Sequence, residues 1–186
     1  MTRFTILNTN IVDLKIIERQ KIGDSRGYLS RIFCKEELSL AGWSEEIEQV
    51  NYTYSKKMGT IRGLHYQLPP YSEMKLVTCL KGAIWDVAVD LRFGSPTFLK
   101  WHAEILSDDN KRALLIPKGF AHGFQTLSDD CELIYLHSKQ HTPHAEAGIN
   151  IMDEVLSINW PLASTEISNR DQLLPKIDPK FKGVQF

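Results

Sequence analysis

Residues 83–91 read AIWDVAVDL, follow the turn pair Lys81-Gly82, and decide the fold class. Alternation along this run puts Trp85, Val87 and Val89 on one face and Asp86, Ala88 and Asp90 on the other, which is the period of a strand and not of a helix. The same grammar repeats on both sides of it. From Phe4 to Ser138 the chain breaks into short segments rich in Val, Ile, Leu, Thr and aromatics, separated by turn residues. FLKWHAEIL (98–106), the turn SDDN (107–110) and RALLIP (112–117) read as a hairpin ended by a proline. Helical spacing is confined to CKEELSLAG (34–42), worth one or two turns, and the C-terminal stretch holds only short irregular segments.

Many short strands in one short chain predict an all-β fold: a jelly roll or barrel of two antiparallel sheets with a few short helices, able to enclose a ligand cavity. At 186 residues and 42% hydrophobic content the chain has the material for one sizeable core, and no linker, repeat or low-complexity tract divides it. One domain spanning residues 1–186 is expected.

Lysine and arginine number 22 against 23 acidic residues, a formal charge of -1, so no broad field favours nucleic acid or an anionic membrane surface. A bound anion needs a local basic site. Cys34, Cys79 and Cys131 are odd in number, widely spaced and set in apolar strand-like runs, and read as reduced packing residues. The opening residues MTRFTILNTN lack the basic-then-apolar pattern of a targeting segment, and no run approaches the roughly 18 apolar residues of a membrane span. A cytoplasmic location is expected.

A cavity inside a β fold announces itself as polar residues on strands where a core needs apolar ones. Four stand out: His65 in TIRGLHYQ, Lys75 in EMKLVTCL, Asp86 in IWDVAVD and His122 in IPKGFAHGF. Alternation places His65 with Ile61, Gly63 and Gln67, and Arg62 on the opposite face, unless Gly63 marks a bulge that turns both side chains into one cavity. On spacing alone an ordinary hydrogen-bonded strand histidine is the favoured reading of His65. Tyr135, on a face with Leu133 and His137, reads by itself as a packing tyrosine with one polar handle. Lys75 by itself reads as a solvated strand-start lysine, and Asp171 in ISNRDQLLP as a turn or capping residue.

Taken together, DSRG, QVNYTYSKKMGTIRGLHYQ, KLV, GAIWDVAVDLRFGSPTF, IPKGFAHGF, LIY and SNRD resemble the dTDP-4-dehydrorhamnose 3,5-epimerase family of jelly-roll cupins, from about Gly23 to Pro175. Seven blocks match in order, and two of them are long. The resemblance implies that His65 removes the proton beside the C4 ketone of a nucleotide-linked 4-keto-6-deoxyhexose, paired with Asp171. It implies Lys75 as the donor to the enolate oxygen and Tyr135 as the acid on the opposite face of the sugar. A C–H next to a ketone is a very weak acid, so a histidine base succeeds only if the enolate is stabilised as it forms. No cofactor is implied.

The resemblance further implies Arg26 and Arg62 around the diphosphate, where a planar fork suits phosphate oxygens, and Gln49, Asn51 and His122 along the sugar nucleotide. It implies a homodimer in which the DSRG segment contributes to the partner's site. Metal binding is not expected: metal-holding cupins supply a His-x-His pair where this chain reads His65, Tyr66, Gln67.

Three positions depart from the family pattern. Leu29 and Arg31 stand where an aromatic and a glutamate are usual near the nucleotide, and His141 replaces a tyrosine near the sugar. These leave open the nucleobase, and whether C3, C5 or both are inverted. The competing readings are an epimerase restricted to one carbon, a non-catalytic cupin that binds a sugar nucleotide, and a metal-dependent cupin using His65 and His122.

Overall fold

The computed structural model describes residues 2–186. In chain order its strands are β1 (Phe4–Asn8), β2 (Lys15–Arg19), β3 (Lys21–Asp24), β4 (Gly27–Ser30), β5 (Gln49–Ser55), β6 (Thr60–Gln67), β7 (Lys75–Lys81) and β8 (Ala83–Asp90). They continue as β9 (Trp101–Ser107), β10 (Arg112–Ile116), β11 (Phe120–Thr126), β12 (Cys131–His137), β13 (Glu146–Gly148) and β14 (Glu166–Ile167). Two short α-helices, α1 (Lys35–Ser39) and α2 (Asn169–Gln172), and a single 3₁₀ turn at Pro143–Ala145 complete the described elements. One sheet runs β1-β2-β10-β7-β12-β5, the other β13-β6-β11-β8-β9 with β14 added parallel to β6, and β3-β4 form a separate hairpin. The two large sheets pack as a jelly roll, and the all-β expectation holds.

Three apolar layers explain why so few strand positions are exposed. Between the sheets lie Val77, Ile84, Ala88, Leu114, Phe124 and Leu133. Behind the first sheet Ile17, Leu76 and Leu115 pack under Leu38 of α1 and Trp43. Behind the second, Val87, Val89 and Ala121 are covered by the C-terminal stretch through Ile149, Ile151, Leu156 and Val184. The alternation in AIWDVAVDL is thus real, but its more apolar face is the outer one. Ala88 faces the space between the sheets, with Asp86 buried on the same side of the strand.

The hairpin expected at residues 98–117 does not form. β9 pairs with β8 in the second sheet, whereas β10 inserts between β2 and β7 in the first, so the turn is a corner between sheets. Asn110 makes the corner: its Oδ1 accepts from the Ser107 amide at 3.1 Å and the Arg112 amide at 3.0 Å. A corner and a hairpin demand the same turn residues, which is why spacing did not separate them. Pro117 ends the strand as expected. Cys34 also departs from expectation, since it stands at the N-terminus of α1 and not in a strand, while Cys79 and Cys131 are buried.

Candidate active site

A cavity of about 1050 Å³ opens between the sheets. β6 supplies His65 and Arg62, β7 Lys75, β11 His122, β12 Tyr135, and β5 Gln49 and Asn51. Arg62 and His65 are three residues apart and still share the cavity, because β6 carries an extra residue against β11. Their register runs His122↔His65 and then Phe124↔Arg62. The bulge expected at Gly63 is present. Gly63 has φ +124°, and a Cβ there would lie 2.6 Å from the Gly123 Cα, so only glycine permits this approach of the two strands.

Asp171 reaches His65 across more than a hundred residues of sequence because β14 runs parallel to β6, pairing Ile167 with Ile61. The chain then turns into α2, where the Asp171 amide donates to Ser168 Oγ at 3.1 Å. Asp171 Oδ1 lies 2.8 Å from His65 Nε2, and its Oδ2 accepts from the Gly63 amide at 3.2 Å. Burial pushes this carboxyl up, but the bonds from His65 and the Gly63 amide, with the charge of Arg170, bring it down to about 2. Arg170, tied to Glu146 at 3.0 Å, places a guanidinium nitrogen 2.9 Å from the same His65 Nε2. That nitrogen therefore faces an acceptor and a donor, and both its protonated and unprotonated forms find a partner. These two contacts are both made at Nε2, on one edge of the ring.

His122 pairs with Asp86 at 2.7 Å, and its ring lies edge-on to Tyr135 with centroids 5.9 Å apart. Tyr135 is buried, and burial is the main cause that raises its phenol above the ordinary tyrosine range. Lys75 is buried rather than solvated, with Nζ 3.1 Å from Glu73. Gln49 and Asn51 bond each other at 3.0 Å, and His141 lies at the rim, where its amide donates to Gln49 Oε1 at 2.9 Å. Arg62 is held by Ser55 Oγ at 3.1 Å and the Tyr54 carbonyl at 3.2 Å.

One expected residue stands apart. Arg26 lies at the tip of the β3-β4 hairpin, outside this cavity, 88% exposed and bonded to Asp24 at 2.6 Å. Sequence reasoning also missed several groups. Glu73, His137, Glu146 and Arg170 all line the cavity, and Asp86 was visible as a misplaced polar residue without a partner. His137 had a signal in its shared face with Tyr135, whereas Glu73 sits before its strand, where no period applies. Among the described residues no three His, Cys, Asp or Glu side chains converge as a metal-holding group.

A family model described as dTDP-4-dehydrorhamnose 3,5-epimerase matches residues 8–178. The dTDP-4-dehydrorhamnose 3,5-epimerase of Shigella flexneri is 43% identical over 167 residues, covering 89% of this chain and 92% of that protein. The crystal structure of the Bacillus anthracis enzyme with TDP and pyrophosphate bound has a TM-score of 0.90 at 41% identity, covering 94% of this chain and 99% of that one. A Legionella pneumophila dTDP-6-deoxy-D-glucose-3,5-epimerase in complex with dTDP-4-keto-L-rhamnose also gives 0.90, at 40% identity, with 97% and 98% covered. Sequence blocks, architecture and overall likeness agree, and the chain belongs to the dTDP-4-dehydrorhamnose 3,5-epimerase family, with its cupin jelly-roll fold.

Proposed function

We propose that the chain is an isomerase that epimerises C3 and C5 of dTDP-4-dehydro-6-deoxyglucose through an enolate, with His65 as base, Lys75 as oxyanion donor and Tyr135 as the returning acid. The observation that carries this is the His65–Asp171 pair, 2.8 Å apart, opening into a cavity that Lys75 and Tyr135 also line. His65 takes the proton from the carbon beside the ketone, and the electron pair moves onto the C4 oxygen. Asp171 stabilises the imidazolium so formed. Lys75 donates to the oxyanion. Tyr135 then protonates the carbon from the other face, and the sugar ends isomeric with no change of oxidation state. Exchange of both groups with water restores the enzyme.

The same reading takes residues 1–186 as one catalytic domain, cytoplasmic and homodimeric. Three features support the dimer: the exposed hairpin carries Arg26 away from its own cavity, it presents Ile22, Tyr28 and Leu29 to solvent, and Val50, Tyr52 and Tyr54 stand exposed on β5 at a sheet edge. Arg26 then serves the partner's diphosphate, and Arg62 serves its own. A cytoplasmic location fits the buried thiols; among the described residues no helix is long and apolar enough to cross a membrane.

Incubation with dTDP-4-keto-6-deoxyglucose in deuterated water tests the activity. Deuterium is expected at both C3 and C5, label at one carbon alone would make the enzyme a mono-epimerase, and no label from any nucleotide 4-keto sugar would overturn the assignment. Tyr135→Phe separates base from acid. This variant is expected to lose product formation by about 100-fold or more while substrate hydrogen still exchanges through His65, and equal loss of both would remove Tyr135 from the acid role.

A further inference from the structure

Glu73 and His137 are half-buried ionisable side chains in the cavity wall that the chemistry above leaves without a role. Glu73 precedes β7 by two positions from Lys75, and His137 ends β12, where its backbone is paired with that of Lys75. Glu73 Oε1 lies 3.1 Å from Lys75 Nζ, with side chains only 8% and 10% exposed. Its Oε2 accepts from Gln67 Nε2 at 2.8 Å and faces His137 Nδ1 at 3.5 Å. The far nitrogen of His137, Nε2, lies 3.4 Å from Asn51 Nδ2. Asn51 is oriented in turn, because its Oδ1 accepts from Gln49 Nε2 at 3.0 Å. An amide that donates to Nε2 puts the histidine's proton on Nδ1, directed at Glu73. The imidazole also lies flat against Tyr135, centroids 5.9 Å apart and planes 16° from parallel.

We propose that Glu73 is the positioning residue for Lys75: its carboxylate, oriented by Gln67 and His137, sets a fixed negative charge beside the ammonium and aims it where the enolate oxygen forms. The proposal rests on Lys75 being that oxyanion donor. A lysine in a cavity has two weaknesses as a donor, a long flexible stem and a charge that burial disfavours, and a fixed carboxylate beside it answers both. One N–H bond to Glu73 leaves two for substrate. Burial raises the Glu73 carboxyl, but the contacts from His137 and Lys75 outweigh it and hold the group below the ordinary glutamate range. Other ionisable groups of the same cavity include His65 and Arg62 on β6, His122 on β11, Tyr135 and His137 on β12 and Asp171 on α2, with Asp86 on β8 bonded to His122.

The test is the pH profile of kcat for Glu73→Gln, which keeps size and hydrogen bonding but removes the charge. Expected are a fall in kcat of about 10- to 100-fold, KM within about twofold, and an alkaline limb moved to lower pH by about one unit. Were Glu73→Gln not to fold, Glu73→Asp, which keeps the charge but draws it back by one methylene, is expected to lower kcat severalfold with a smaller displacement of the same limb. A limb that stays at its wild-type pH in the folded variant, whatever happens to kcat, overturns the proposal, as does an unchanged kcat. Lys75→Met run alongside separates the two levels. If that variant keeps full activity the donor reading itself fails; if it is inactive and Glu73→Gln is normal, only the positioning role fails.

Discussion

Two histidine–aspartate pairs sit side by side in this cavity, on residues that are direct register partners of adjacent strands, His65 and His122. Their distances are nearly equal, 2.8 Å to Asp171 and 2.7 Å to Asp86, so distance does not separate the proposed base from its neighbour. Surroundings do. His65 keeps 25% of its side chain exposed and its aspartate takes a second bond from the Gly63 amide, whereas His122 is 6% exposed and Asp86 Oδ2 is buried without a partner. The first carboxyl is held down to about 2, and the second is raised by its burial. An imidazolium on His65 would meet a carboxylate that stays charged, on a side chain still open to the cavity. An imidazolium on His122 would need both charges sealed away from water, a state that burial disfavours.

The largest effect should therefore separate the two histidines. His65→Asn is expected to lower kcat/KM by about 10³- to 10⁴-fold with the fold intact, while His122→Asn lowers it by roughly tenfold, through a shifted substrate and not through lost proton transfer. Deuterium wash-in reads the difference directly: it disappears with His65→Asn and persists with His122→Asn. Equal losses of exchange would make the second pair part of the proton path and break the comparison.

How much of this was legible beforehand differs between the pairs as well. His122 and Asp86 were both visible as polar residues inside strands, since a period of two marks them as facing a space that ought to be apolar. Which face of β8 that space lay on was not legible, because layers cover both faces and the stretch that supplies the outer one has no period of its own. Asp171 carried no local signal at all. Its place comes from β14 running beside β6, a pairing of two residues far from His65 in sequence, and only the match of whole motifs to a family pointed to it. The bulge at Gly63 was readable because a glycine inside a strand has few other uses. The corner at Asn110 was not, because a turn's residues specify its tightness and say nothing about which sheet receives the next strand.

The smallest expected effect is on stability, and here the pairs should differ in sign. Asp171 binds its proton more weakly when folded, so between the ordinary carboxyl value and about 2 the unfolded chain holds a proton that the folded one lacks, and stability rises with pH. That contribution, about 2 kcal/mol, is complete above roughly pH 4 and lost as pH falls toward 2. Asp86 binds its proton more tightly when folded, so its term is present below the ordinary carboxyl range and is lost as pH rises through its folded value. Urea midpoints from pH 3 to 7 check this. Asp171→Asn should flatten the acid-side rise and weaken the protein most at neutral pH, whereas Asp86→Asn should leave that rise in place and lose less, or nothing, at pH 7. Parallel curves for the two variants would mean that the pairs share one electrostatic environment, and the division of labour between His65 and His122 would then have to come from the substrate's position alone.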